Sequence, residues 1–119
     1  EDRERRVRGA IAAGQALAAR DPAFKPLNPA WDTRWMDAID AGDLAPLLAL
    51  DEAGISREAG ESAHESKTWL VACSAAHACA AGQPQQLQTA LRFYEAIPEL
   101  IAGFGILLKL PQSPFGTPP

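Results

Sequence analysis

The chain has 119 residues and a formal net charge of −4, with 47% of its residues apolar and alanine the commonest of these. That length allows one domain or part of one, with a modest core, and the alanine content favours helices over a large aromatic interior. The acidic balance argues against nucleic acid as a partner, and no apolar run is long enough to cross a membrane or to act as a signal peptide.

The first predicted helix runs from Asp2 to Arg20, with Val7, Ile11, Gly14, Leu17 and Ala18 as its apolar stripe. Arg3, Arg5, Arg6 and Arg8 alternate with Glu1, Asp2 and Glu4, which reads as a solvated helix start and not as a phosphate-binding surface. The chain carries no initiator Met and opens on residues already helical in pattern, so it is expected to begin partway through a longer protein. Asp21-Pro22 is expected to stop this helix, because the residue before proline avoids the helical region.

After an irregular connector, Asn28-Pro29 reads as an N-cap followed by proline at the first helical position. Trp31, Trp35 and Ile39 then share one face, and Gly42 is placed to end the helix in the left-handed conformation. Asp43 can cap a short helix through Leu50, and Ser56 a single turn at Arg57 to Ala59. Ser62-Ala63-His64-Glu65 has the form of a capping box opening a long helix to Ala81, with Trp69, Cys73, Ala76 and Ala80 buried and His77 beside them. Gly82 and Pro84 are expected to end it. Cys73 and Cys79 lie on different faces of that helix and cannot pair with each other, which fits a reduced, cytoplasmic setting.

Gln85 to Glu95 suits a helix through Leu87, Leu91 and Tyr94, or a strand through the alternation of Phe93, Glu95 and Ile97. Ile101 to Leu110 reads as a strand. Phe104, Ile106, Leu108 and Leu110 fall on one side, while Gly103 and Gly105 on the other admit a close backbone or ligand. Such a strand needs a partner for its backbone. Pro111 to Pro119 reads as a proline-rich tail. The fold class expected is mainly α with a C-terminal β-strand.

Few residues could carry chemistry. Glu65 has two readings: the acid of a capping box, or a carboxylate ligand of the kind that joins two histidines at a ferrous centre. A carboxylate in a helix's first turn is rigid and readily ionised, which suits either role. His64 diverges from Glu65 by about 100° around the helix and is poorly placed to share a metal with it. It reads as a supporting or surface histidine, and His77 as a packed one. The tryptophans, at helical spacing, read first as core, with an aromatic substrate box as the alternative. No phosphate loop, nucleophile elbow or Cys/His catalytic arrangement occurs.

Three segments, Pro26-Leu27-Asn28-Pro29-Ala30-Trp31-Asp32, His64-Glu65-Ser66-Lys67-Thr68-Trp69 and Ile97-Pro98-Glu99-Leu100-Ile101-Ala102-Gly103-Phe104-Gly105, resemble the C-terminal part of the class III extradiol ring-cleavage dioxygenases in order and approximate spacing. The resemblance implies that residues 1–110 are the C-terminal portion of a larger α/β catalytic domain, which uses Fe(II) and dioxygen to open a catechol of the 2,3-dihydroxyphenylpropanoid kind. It implies Glu65 as the carboxylate metal ligand and Pro98, Glu99 and Leu100 as bordering the substrate pocket. Family members often carry Trp where Leu100 stands, so an altered pocket or substrate is implied. The family's two histidine ligands and its acid/base histidine come from N-terminal segments not found in this sequence. The expected partners are the remainder of the dioxygenase or a companion subunit, in an oligomer. An alternative is a non-catalytic helical partner subunit or remnant, covering the active site of a larger dioxygenase subunit.

Overall fold

The computed structural model describes residues 2–80 and 87–111. Helix α1 spans Asp2–Ala18, α2 Pro29–Ala41, α3 Ala45–Leu48 and α4 Glu52–Ala59. A 3-10 helix at Glu61–Ser66 leads into α5, Lys67–Ala80. Strand β1, Leu87–Ile97, joins β2, Ala102–Pro111, through a 3-10 turn at Pro98–Leu100. The expected single strand is thus an antiparallel hairpin, and the ambiguous segment before it is its first strand from Leu87 onward. The pairs Phe93↔Ile106 and Glu95↔Phe104 fix the register. Gly82 and Pro84, expected to end α5, lie outside the described residues, as does the tail beyond Pro111.

Helix α2 forms as its sequence dictates. Asn28 accepts a hydrogen bond from the Trp31 N–H at 3.1 Å, Pro29 supplies a preset φ, and Gly42 (φ 72°) ends the helix with Asp43 N–H reaching the Ala38 carbonyl at 3.0 Å. Helix α1 stops earlier than the proline would require. Arg20 takes the left-handed conformation (φ 57°), and Asp21 N–H closes on the Ala16 carbonyl at 2.9 Å, a glycine-type ending made without glycine.

Three caps differ from expectation. Helix α3 has no side-chain cap from Asp43. Helix α4 starts earlier than expected because Asp51, not Ser56, caps it, accepting from Gly54 N–H at 2.6 Å. The Ser62–Glu65 capping box does not form. Gly60, at φ 91°, precedes a 3-10 turn in which Ser66 donates to the Ala63 carbonyl and Thr68 to the Glu65 carbonyl. The side chains close local carbonyls and delay the α-helix to Lys67.

The core gathers Trp31, Trp35 and Ile39 of α2, Leu47, Ile55, and Leu70 with Cys73 of α5. The inward face of α5 is therefore rotated from the expected one: Leu70 and Cys73 are buried, Trp69 is half-buried and Ala76 is exposed. The inner face of the hairpin is held to α2 by charge. Arg92 bonds Asp37 at 2.5 Å, Lys109 lies 3.1 Å from Asp40, and Thr89 donates to Asp40. The Thr89 hydroxyl above all, with Lys109 and Arg92 outweighing burial, holds the Asp40 carboxyl below its ordinary range.

The outer face of the hairpin carries Leu91, Phe93, Phe104, Ile106 and Leu108, all 43–53% exposed. Helix α1 touches the rest through Gly14, whose Cα hydrogen faces the Glu99 carbonyl, and it leaves Val7 and Ile11 exposed. The radius of gyration of 17.8 Å exceeds the roughly 13.5 Å of a compact chain this long. Among the described residues no helix is long and apolar enough to cross a membrane.

Candidate functional site

A cavity of about 400 Å³ opens between the start of α2, the 3-10 helix and the inner face of β2. Its position follows from the caps. Asn28 ties the start of α2 to α4 through Nδ2 to the Glu58 carbonyl at 3.0 Å. Lys25 closes the end of α4 by donating to the Ser56 carbonyl at 2.7 Å and to that of Arg57. These bonds hold the 3-10 helix opposite the first turn of α2, with the hairpin as the third side.

All three tryptophans line this cavity. Trp31 and Trp35 stack with ring centroids 5.1 Å apart and are also buried in the core, whereas Trp69 is half-buried and stands over β2. The tryptophans thus serve the core and also wall the cavity. Gly103 and Gly105 form the strand side. A Cβ on Gly105 would sit 3.2 Å from Trp69 Cη2 and 3.1 Å from Met36 Sδ, so glycine lets the backbone pass close beneath them.

Glu65 lines the cavity from the 3-10 helix. His64, its neighbour, points elsewhere: its Nε2 is 2.8 Å from Ser56 Oγ and 3.9 Å from Glu61 Oε2, tying the 3-10 helix to α4. His77 packs against Gly42 at the far end of α2, and its Nε2 meets no partner among the described residues. The two histidines and Glu65 are not brought together, and among the described residues no group of three or more His, Cys, Asp or Glu could hold a metal ion. A ferrous centre with two histidines and a carboxylate does not fit this donor set.

Pro98, Glu99 and Leu100 form the turn at the tip of the hairpin, where Glu99 packs on Gly14 of α1 and Leu100 is 57% exposed. They do not line the cavity that Glu65 lines. In their place β1 and β2 contribute Tyr94, Ala102, Gly103 and Gly105.

Sequence reasoning assigned no role to the most polar pair in the cavity. Tyr94 donates its hydroxyl to Asp32 Oδ2 at 2.5 Å, linking the hairpin to the first turn of α2. Burial, followed by the Asp32 carboxylate, raises the Tyr94 phenol well above its ordinary range, so it remains a neutral donor. The signal that could have found it was Gly103: a Cβ there would lie 2.6 Å from both Tyr94 Oη and Asp32 Oδ2.

No family model matches the chain. Among curated proteins, a 2,3-dihydroxyphenylpropionate/2,3-dihydroxicinnamic acid 1,2-dioxygenase of Comamonas testosteroni is 50% identical over 107 residues, covering 90% of this chain and 32% of that protein. Proteins of the same name from Burkholderia vietnamiensis and Mycolicibacterium paratuberculosis are 43% and 39% identical, covering 88% and 94% of this chain and 32% and 34% of their own lengths. The chain thus spans about a third of the length of the curated relatives it matches. Over that third, the chain is similar at the level of the family to the 2,3-dihydroxyphenylpropionate/2,3-dihydroxicinnamic acid 1,2-dioxygenases.

Proposed function

We propose that this chain does not catalyse by itself and serves as a wall that covers and completes the active site of a larger extradiol dioxygenase body. The observation that carries this reading is the donor set of the cavity: two carboxylates, Glu65 and the Tyr94-bound Asp32, line an aromatic-walled space, while His64 bonds Ser56 and His77 packs at the far end of α2. Carboxylates without histidines do not make up the two-histidine, one-carboxylate set of such a ferrous centre. The histidine ligands would come from the companion body, and Glu65 would be the carboxylate that this chain adds. When bound there, Fe(II) would supply the activation of dioxygen and of the diol. Residues 1–110 would act as one unit, with Pro98, Glu99 and Leu100 at its border with that body and with the substrate.

The outer hairpin face supports the same reading. Leu91, Phe93, Phe104, Ile106 and Leu108 form a large apolar surface that a free-standing monomer rarely leaves open. Such a face suits burial against another layer. The curated relatives are about three times as long as the matched segment, so a second layer has a source.

The test is complementation. The remaining two-thirds of the Comamonas testosteroni relative, co-expressed with this chain and loaded anaerobically with Fe(II), is expected to bind it. On admission of oxygen, the complex should give a yellow ring-opened product from 2,3-dihydroxyphenylpropionate. Neither piece alone should do so. Turnover by this chain alone, or failure of the pieces to associate, would overturn the proposal.

A further inference from the structure

Residues 61–66 carry instructions for two conformations. Ser62-Ala63-His64-Glu65 encodes a capping box, in which the Glu65 carboxylate would reach back to the Ser62 N–H and α5 would start one turn earlier. The chain takes another form, a 3-10 helix preceded by Gly60 at φ 91°. The box would occupy the Glu65 carboxylate with the backbone. In the 3-10 form Glu65 lines the cavity and enters no ion pair among the described residues.

Giving up the box forgoes a cap, so other contacts must offset it. Ser66 and Thr68 bond carbonyls in the segment itself, those of Ala63 and Glu65. His64 instead ties the segment to α4, with Nε2 2.8 Å from the Ser56 hydroxyl. Ser56 is a fixed anchor. Its carbonyl accepts from Gly60 N–H at 3.1 Å and from Lys25 Nζ at 2.7 Å, so its helix turn is held from two sides. The His64 side chain is 25% exposed, which shields the bond from competing water. Counted back from Lys67, the 3-10 and α windings diverge by about 20° per residue, about 40° at Glu65 and about 60° at His64. The contact of His64 with Ser56 and the aim of Glu65 therefore change together.

We infer that His64 is a positioning residue: its bond to Ser56 holds residues 61–66 in the 3-10 form and so keeps the Glu65 carboxylate out of the capping box and free at the cavity. What Glu65 does there rests on the function proposed above; the choice between the two forms does not. Ser62 is the competitor in this arrangement, because it would cap the alternative helix.

Hydrogen exchange of the Ser62 amide, followed by NMR on the full chain, tests the choice of form. His64→Ala and Ser56→Ala should each raise its protection on the order of fivefold, the weight of one N-cap. The double variant should match either single one, because both remove the same bond. Adding Glu65→Ala should abolish the new protection. Protection that stays unchanged or falls in the folded variants, or effects that add, would overturn the inference and leave His64 an ordinary tie between helices. Should His64→Ala not fold, Ser56→Ala, which removes a single hydroxyl, decides alone. In the complemented enzyme His64→Ala should lower turnover on the order of fivefold with association unchanged, and adding Ser62→Ala should restore it by weakening the competing box. Lost turnover that Ser62→Ala does not restore would overturn the positioning of Glu65. A Ser62 amide that responds as described, in a chain whose complemented form never turns over, would sink the dioxygenase reading and leave the His64 latch.

Discussion

Trp35 and Trp69 are both tryptophans of the cavity, yet their removal should have unequal effects. Trp35 is 4% exposed, stacks on Trp31 and belongs to the core cluster, whereas Trp69 is half-buried and packs at its margin. A buried Trp side chain removes about 150–250 Å² from water, worth about 4–6 kcal/mol at 25 cal/mol per Å². Measured truncations of such residues cost about 3–5 kcal/mol. Trp35→Ala should fall in that range, with the lost stacking on Trp31 placing it at the upper end. Trp69→Ala should cost less, on the order of 2–3 kcal/mol, because part of its area is already in water. Against a total stability of about 5–15 kcal/mol, the first change removes most of a small domain's margin and the second does not. Urea unfolding followed by far-ultraviolet circular dichroism measures both. Equal losses, or a larger loss for Trp69→Ala, would refute the division of the cavity into a core wall and an open wall.

Gly14→Ala should undock α1, because the new Cβ would lie 2.0 Å from the Glu99 carbonyl oxygen, with backbone on both sides. Overpacking of about 1–3 kcal/mol exceeds the gain of at most about 1 kcal/mol in helix propensity. Hydrogen exchange should quicken in α1 and not in α2, and unchanged α1 protection would count against this packing. Asn28→Ala should cost about 1 kcal/mol as a lost cap, whereas Ser62→Ala, which caps nothing, should stay within about 0.5 kcal/mol; paired thermal melts decide this. Asp40 has a depressed folded pKa, so its stabilisation is present above the ordinary carboxyl value of 3.8 and is lost as pH falls through the depressed one. Asp40→Asn should flatten that acid limb of a stability–pH curve, and an unchanged limb would show that the contacts with Thr89, Lys109 and Arg92 carry no linkage.

Much of the helical layer was legible because its signals are local. Asn28-Pro29 and Gly42 set both ends of α2 with no help from the rest of the molecule, and Trp31, Trp35 and Ile39 face the core as their spacing requires. The second helix system was less legible because competing side chains decided it. Ser66 and Thr68 bond their own backbone and replace the Ser62–Glu65 box with a 3-10 turn, which also rotates the buried face of α5. The strand pattern over residues 101–110 was read correctly as an alternation, but alternation does not say which face is covered. The glycine side packs against α2 and the apolar side stays open. The Asp32–Tyr94 pair joins residues far apart in sequence and left no mark beyond Gly103. Glu65 was singled out through resemblance, and its position on the cavity wall depends on elements that local pattern does not bring together.

The most direct measurement is Glu65→Ala in the complemented enzyme, with the isolated chain titrated with anaerobic Fe(II) alongside. The isolated chain should bind iron weakly, since no histidine is among the described residues that line the cavity with Glu65. In the complex, Glu65→Ala should abolish turnover and weaken iron binding while association and circular dichroism stay as they were. Full turnover in Glu65→Ala, or tight one-to-one iron binding by the isolated chain, would contradict the account.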